Sequence, residues 1–205
     1  MVAPAQNCDA IDRLLAALPV EGEGRARVAE LGFPTSRDED WRFTSVKPIA
    51  ELNFTAAKAD ATATLDSCMF AAIDGPQLVF VNGHYSESLS QIGDLPPGVE
   101  VRPISAGDCP APPEAGDAFE ALNAAAAADG PFISVADNVT FETPVRVYYL
   151  STGGKGATAN LRGYICVGAN SRLTVLESWS GTEAGYFNNG VTELHAADNA
   201  QVEHV

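Results

Sequence analysis

Positive charge is scarce in this sequence. It carries 12 Lys and Arg against 27 Asp and Glu in 205 residues, a formal net charge of −15. Nucleic acid and anionic membranes both demand a basic surface, so neither is expected as a partner. An acidic balance of this size serves solubility. Cysteine is sparse too. Cys8, Cys68, Cys109 and Cys166 are widely spread, with no C-x-x-C pair. That spacing argues against a compact zinc site, and the chain length argues against a disulfide framework. Reduced thiols and a cytoplasmic setting are expected. The opening MVAPAQNCDAIDRLLAAL has no basic stretch ahead of a long apolar core, so it does not read as a signal peptide. No apolar run approaches membrane-spanning length. Asn138-Val139-Thr140 matches the glycosylation pattern, but without a secretory signal it reads as coincidence. At 46% hydrophobic and 19% charged, the chain is globular, with room for one large domain or two small ones.

Helical periodicity is missing after Asp129, and a repeated pattern takes its place. Three runs resemble one another: ADNVTFETPV (Ala136 to Val145), GANSRLTVLE (Gly168 to Glu177) and ADNAQVEHV (Ala197 to Val205). Each places an Asn (Asn138, Asn170, Asn199) just before alternating apolar and polar residues. The Asn spacings are 32 and 29. Asn tolerates the left-handed backbone of a tight turn, so each run reads as a turn into a strand. Arg146 to Leu150, Leu161 to Val167 and Phe187 to Leu194 are further strand candidates. A turn–strand unit that cannot bury its apolar face alone stacks on copies of itself, which predicts a β-solenoid. A β-sandwich, whose strands also recur between turns, is the alternative. The sequence stops inside the third run with nothing resembling a polar cap. An N-terminal piece of a longer protein is therefore expected.

Earlier in the chain, Asp9 to Leu18 puts Ile11, Leu14, Leu15 and Leu18 on one helical face, with Asp9 as candidate N-cap. Arg25 to Leu31 predicts a second helix stopped by Gly32. In Gly32 to Ile49, the acidic triplet Asp38-Glu39-Asp40 suits the start of a short helix rather than a cation site. Trp41 and Phe43 are expected to anchor this segment in the core. Gln77 to Ser88 predicts a hairpin with a type I′ turn at Asn82-Gly83. His84 beside that turn reads as solvent-exposed rather than as a base. Val99 to Ile104 is a strand. The Pro-, Gly- and Ala-rich stretch from Ala106 to Asp117 marks a linker, with few contacts expected across it. It divides an N-terminal α/β domain, 1–112, from a coil-forming domain, 113–205. Ala118 to Asp129 is a helix placed to cap the first coil. In STGGKGATAN (Ser151 to Asn160), Gly rather than Ser or Thr follows Lys155 and no helix follows. The stretch is thus a coil connector and not a phosphate loop.

Three stretches carry a family likeness: GFPTSRDEDWRFTSVKPI (Gly32 to Ile49), LVFVNGHYSESLSQIGDLPPGVEV (Leu78 to Val101), and the run from LNAAAAADGPFISV through PVRVYYL to YFNNGVTELHAADNAQVEHV. They resemble the SufD family, a subunit of the SUF iron–sulfur cluster assembly machinery. The sister subunit SufB shares the core, and the N-terminal stretch favours SufD. Asp40 and Ser36 depart slightly from the family pattern, and the C-terminal half is missing. The resemblance implies a mainly β fold: a helical and mixed α/β N-terminal domain, then the first coils of a right-handed parallel β-helix. It implies a cytoplasmic, non-catalytic scaffold that pairs with a SufB-like subunit and, through a C-terminal helical domain, with a SufC-like ATPase. The complex would handle the iron–sulfur cluster, with ATP bound by the SufC partner and no cofactor on this chain. The family's cluster-assembly residues lie in late coils and in the partner. No catalytic, cofactor-binding or metal residue is therefore carried over to positions 1–205.

A β-helix carbohydrate-active enzyme and a general interaction module are the alternatives. The first would need clustered acidic or basic residues on one solenoid face and a secretory signal. A hexapeptide-repeat acyltransferase would need a strict six-residue aliphatic period, which is absent. Cys166, His195 and His204 are the residues able to ligate a soft metal. Cys166 sits between Ile165 and Val167 and reads as a buried structural thiol, and the two histidines read as solvent-facing.

Overall fold

Helices open the chain. In the computed structural model, which describes residues 4–65, 70 and 72–205, α1 (Pro4–Ala17) buries Ile11, Leu14 and Leu15, and Leu18 just past its end is buried with them. This is the apolar stripe of an amphipathic helix. Asp9 lies within α1, so it is interior and not the N-cap. α2 (Gly22–Leu31) ends at Gly32, whose φ is 63° and whose N–H donates to the Val28 carbonyl at 3.0 Å. A positive φ is one that glycine adopts without strain, so the chain leaves the helix here.

A 3₁₀ turn, Glu39–Trp41, and a short helix, α3 (Lys47–Ala50), follow. Trp41 anchors the segment as expected, its ring centroid 5.1 Å from that of Phe119. Phe43 does not: it is 94% exposed. A turn of about three residues sends side chains two positions apart in different directions, so only one of the pair faces the core.

The strands are β1 (Thr55–Ala56), β2 (Gln77–Val81), β3 (His84–Tyr85) and β4 (Val99–Pro103), followed after α4 (Ala118–Ala126) by β5 (Pro131–Val135), β6 (Val145–Ser151), β7 (Ala157–Val167), β8 (Arg172–Gly181), β9 (Phe187–Ala196) and β10 (Gln201–His204). The fold is mainly β. From β5 onward the chain alternates between two sheets. β5, β7 and β9 pair in parallel in one sheet, and β6, β8 and β10 pair in parallel in the other. β4 extends the first sheet antiparallel to β5, and β1 pairs with the start of β7. β2 extends the second sheet parallel to β6 and carries the β3 hairpin. At that hairpin Asn82 and Gly83 have φ of 53° and 87°, the two positive values a type I′ turn requires.

The sheets enclose one core. Ile133, Val135, Leu161, Ile165 and Val167 of the first meet Phe80, Val145, Val147, Leu173 and Val175 of the second. A second cluster gathers α1, α2, α3 and α4 with Phe54 and Phe187. Phe119 lies 5.4 Å from Phe33 and 5.9 Å from Phe187. Contacts across the 106–117 stretch are therefore substantial, not few. Side chains from early helices and late strands jointly complete this aromatic cluster.

Two local expectations change. The first Asn-led run forms no strand before Val145; only Thr140 bridges to Arg172. Pro144, lacking an N–H, cannot donate to a ladder there. The connector after β6 is shorter than read, because β6 runs to Ser151 and β7 starts at Ala157. It closes at Gly156, φ 86°, where a β-carbon would sit 2.0 Å from the Asn53 carbonyl.

Candidate functional site

The residues singled out in the sequence do not converge. His195 and His204 lie on β9 and β10, in different sheets. His195 is exposed, 3.8 Å from Glu193. His204 is exposed as well and sits 3.3 Å from Glu177. Cys166 is half-buried, its Cα paired with that of His195 on the neighbouring strand. Burial pushes its thiol pKa up, with further contributions from Cys109 and Glu193. That shift keeps the Cys166 thiol protonated at neutral pH and makes it a poor nucleophile. Cys109 lies 3.8 Å from an Arg102 nitrogen. Cys68 lies outside the described residues. Among the described residues no three His, Cys, Asp or Glu side chains gather in a way that could hold a metal. His84 is half-buried in the hairpin return.

Three built features stand out instead. The first is a ladder at the turns. Asn138, Asn170 and Asn199 all have positive φ, 60°, 55° and 57°. The Asn170 amide donates to the Asn138 side-chain oxygen at 3.1 Å, and that of Asn199 to Asn170 at 3.0 Å. Each Asn therefore does two things: it makes the turn and it clasps the turn beside it.

The second is a buried polar layer beneath α4. The helix is capped by Asp117, whose carboxylate accepts from the Phe119 and Glu120 N–H groups. It ends at Ala126, and its fully buried Asn123 donates to the carbonyls of Leu161 and Asn189, both at 2.8 Å. Arg162 donates to Asn123 at 2.9 Å and pairs with Glu193. Asn189 donates to the Phe119 carbonyl at 2.9 Å and to Asn160 at 3.0 Å. These groups satisfy one another, which a buried polar cluster must do to be tolerated. The sequence reading missed this layer. The repeat held its signal, since Asn160 and Asn189 are paired positions on β7 and β9.

The third is an aromatic row inside the second sheet. Phe80, Tyr149 and Trp179 are paired positions on β2, β6 and β8. Their rings stack at centroid distances of 5.7 Å and 3.9 Å. The Tyr149 hydroxyl donates to Glu177 at 3.0 Å. Burial, then the Glu177 charge, holds this phenol well above its ordinary pKa. Trp179, at the end of the row, is 43% exposed. The chemistry of all three features is that of stacking and joining. No helix among the described residues is long and apolar enough to cross a membrane.

No protein-family model matches the chain. Two curated proteins are similar to it over most of its length. One is an iron–sulfur cluster assembly SufBD family protein of Synechocystis, 24% identical over 200 residues, covering 87% of this chain and 44% of that protein. The other is the iron–sulfur cluster assembly protein SufD of Escherichia coli K12, 23% identical over 180 residues, covering 85% of this chain and 42% of that protein. The chain thus spans less than half the length of these curated relatives.

Proposed function

The chain is related to the SufD/SufBD family, and from that premise we propose that it belongs to a cytoplasmic scaffold subunit of an iron–sulfur cluster assembly complex. The observation that carries this reading is the similarity to both relatives along nearly the whole chain. The alternation of strands between two parallel sheets supports the architecture that goes with it. On this reading residues 113–205 are the first coils of a right-handed parallel β-helix. Residues 1–112 form the helical and mixed α/β unit before it, whose strands β2 and β4 prolong both sheets. Further coils would add to the edges of β9 and β10, each of which has a strand partner on one side only among the described residues.

The proposed role is non-catalytic. The full-length protein would pair with a SufB-like subunit and a SufC-like ATPase, and the cluster would be cargo of the complex. The polar side chains beneath α4 fit a structural role, because their hydrogen bonds join helix to sheet. Deleting the gene for the full-length protein tests the reading. Cluster occupancy of the host's iron–sulfur enzymes should fall and recover when the gene is returned. Unchanged occupancy under conditions that require cluster assembly would overturn it.

A further inference from the structure

Two of the cysteines share one face of the first sheet. Strand pairing sets Arg102, Phe132, Tyr164 and Glu193 in one row across β4, β5, β7 and β9, and Glu100, Ser134, Cys166 and His195 in the next. The residues between the rows, Ile133, Val135, Ile165 and Val167, point into the core. Both rows therefore lie on the outer face. α4 covers this face around Leu161, Arg162 and Asn189. Further along the same strands, Tyr164 is still buried and Cys166 half-buried.

Cys109 reaches that region from the 107–117 stretch, which forms no helix or strand. The Arg102 guanidinium lies 4.0 Å from the Phe132 ring centroid, and one of its nitrogens is 3.8 Å from the Cys109 sulfur. It also donates to the Asp108 carbonyl at 2.6 Å, which ties the stretch to the sheet. Cys109 is thus held beside Phe132 of β5, and β7, which carries Cys166, is the next strand, about 4.8 Å on. Burial raises the pKa of both Tyr164 and Cys166, and negative charge at Cys109 adds to the rise in each. Both side chains are within electrostatic reach of that sulfur.

We propose that Cys109 and Cys166 are a thiol pair that a hydroperoxide oxidises reversibly to a disulfide, stapling the 107–117 stretch to the first sheet. The two thiols take unequal parts. Thiolate is the reacting species, and Cys166 holds little of it, so oxidation starts at Cys109, beside the Arg102 guanidinium. The Cys109 sulfur attacks the peroxide, the O–O bond breaks, and a sulfenic acid forms with release of water or alcohol. The Cys166 sulfur then displaces hydroxide from that sulfenic acid. Its proton leaves with the hydroxide as water, and the S–S bond closes. Two electrons pass from the pair of sulfurs to one peroxide. A disulfide needs Cα atoms within about 7 Å. The contacts that hold the Cys109 sulfur are long, 3.8 Å to Arg102 and 4.0 Å to the carbonyls of Ile104 and Gly107, so little opposes a shift towards Cys166. The proposal does not depend on the iron–sulfur reading, since it rests on this stretch and sheet alone.

The test uses the chain with Cys8→Ser and Cys68→Ser, so that only this pair remains. It is exposed to dilute hydrogen peroxide, quenched with N-ethylmaleimide and mapped by mass spectrometry. A Cys109–Cys166 bridge should form within single chains, and dithiothreitol should reverse it. It should form about tenfold faster in the folded chain than in urea, because the fold raises the effective concentration of one thiol at the other. With Cys166→Ser added, dimedone should trap a sulfenic acid at Cys109. With Cys109→Ser added, Cys166 should stay open to alkylation over the same period. The proposal is overturned if no bridge forms in the folded chain, if bridging is as fast in urea, or if Cys166 oxidises as quickly as Cys109.

Discussion

Asn170 shows how one residue type serves two needs. Its φ of 55° lies where a side chain with a β-carbon is strained, and its amide and carbonyl join the turns on either side. Replacing it with Ala removes both ladder bonds and leaves a residue that tolerates this backbone less well. The combined cost should be about 1–2 kcal/mol, read as a lower urea midpoint. Asn170→Gly separates the causes. It restores the backbone freedom but not the ladder, so it should recover roughly half of the loss. If both variants unfold with the parent's midpoint, the ladder contributes nothing to stability.

Among the elements, α4 is the joint of the molecule. Its Phe119 receives Trp41 on one side and lies 5.9 Å from Phe187 of β9 on the other. Trp41 is only half-buried, so Trp41→Ala should cost roughly half of the full-burial value, about 2 kcal/mol. Hydrogen exchange should speed up in α4 and in the start of β9, not only in the segment around residue 41. Exchange that rises before residue 50 and nowhere else would show that α4 does not transmit the loss.

The elements also show what the sequence makes legible. α1, the Gly32 stop, the Asn82-Gly83 hairpin, and strands β6, β8 and β9 were readable, because each rests on local chemistry: a helical stripe, a positive φ, an alternating run. The outward-facing Phe43 was not, because a tight turn sends neighbouring aromatics to different sides and no local pattern says which one meets the core. The failed strand before Val145 shows Pro144 overriding an alternating pattern. The layer around Asn123 was hidden for another reason. Its members come from positions 123 to 193, and only strand pairing brings them together.

For the whole molecule, two mixed sheets and a helical end are packed together, and the polar groups beneath α4 bond helix to sheet. Among the described residues β9 and β10 each pair with one strand only, and such sheet edges invite further strands. Leu194 and Trp179 stand partly exposed near them. Such edges and exposed apolar side chains fit the scaffold role proposed above. The most direct test is native mass spectrometry of the full-length protein co-expressed with the SufB-like and SufC-like proteins of its host. The account predicts a discrete assembly containing all three chains. The full-length protein appearing folded, alone or only with copies of itself, while the other two assemble without it, would contradict that claim.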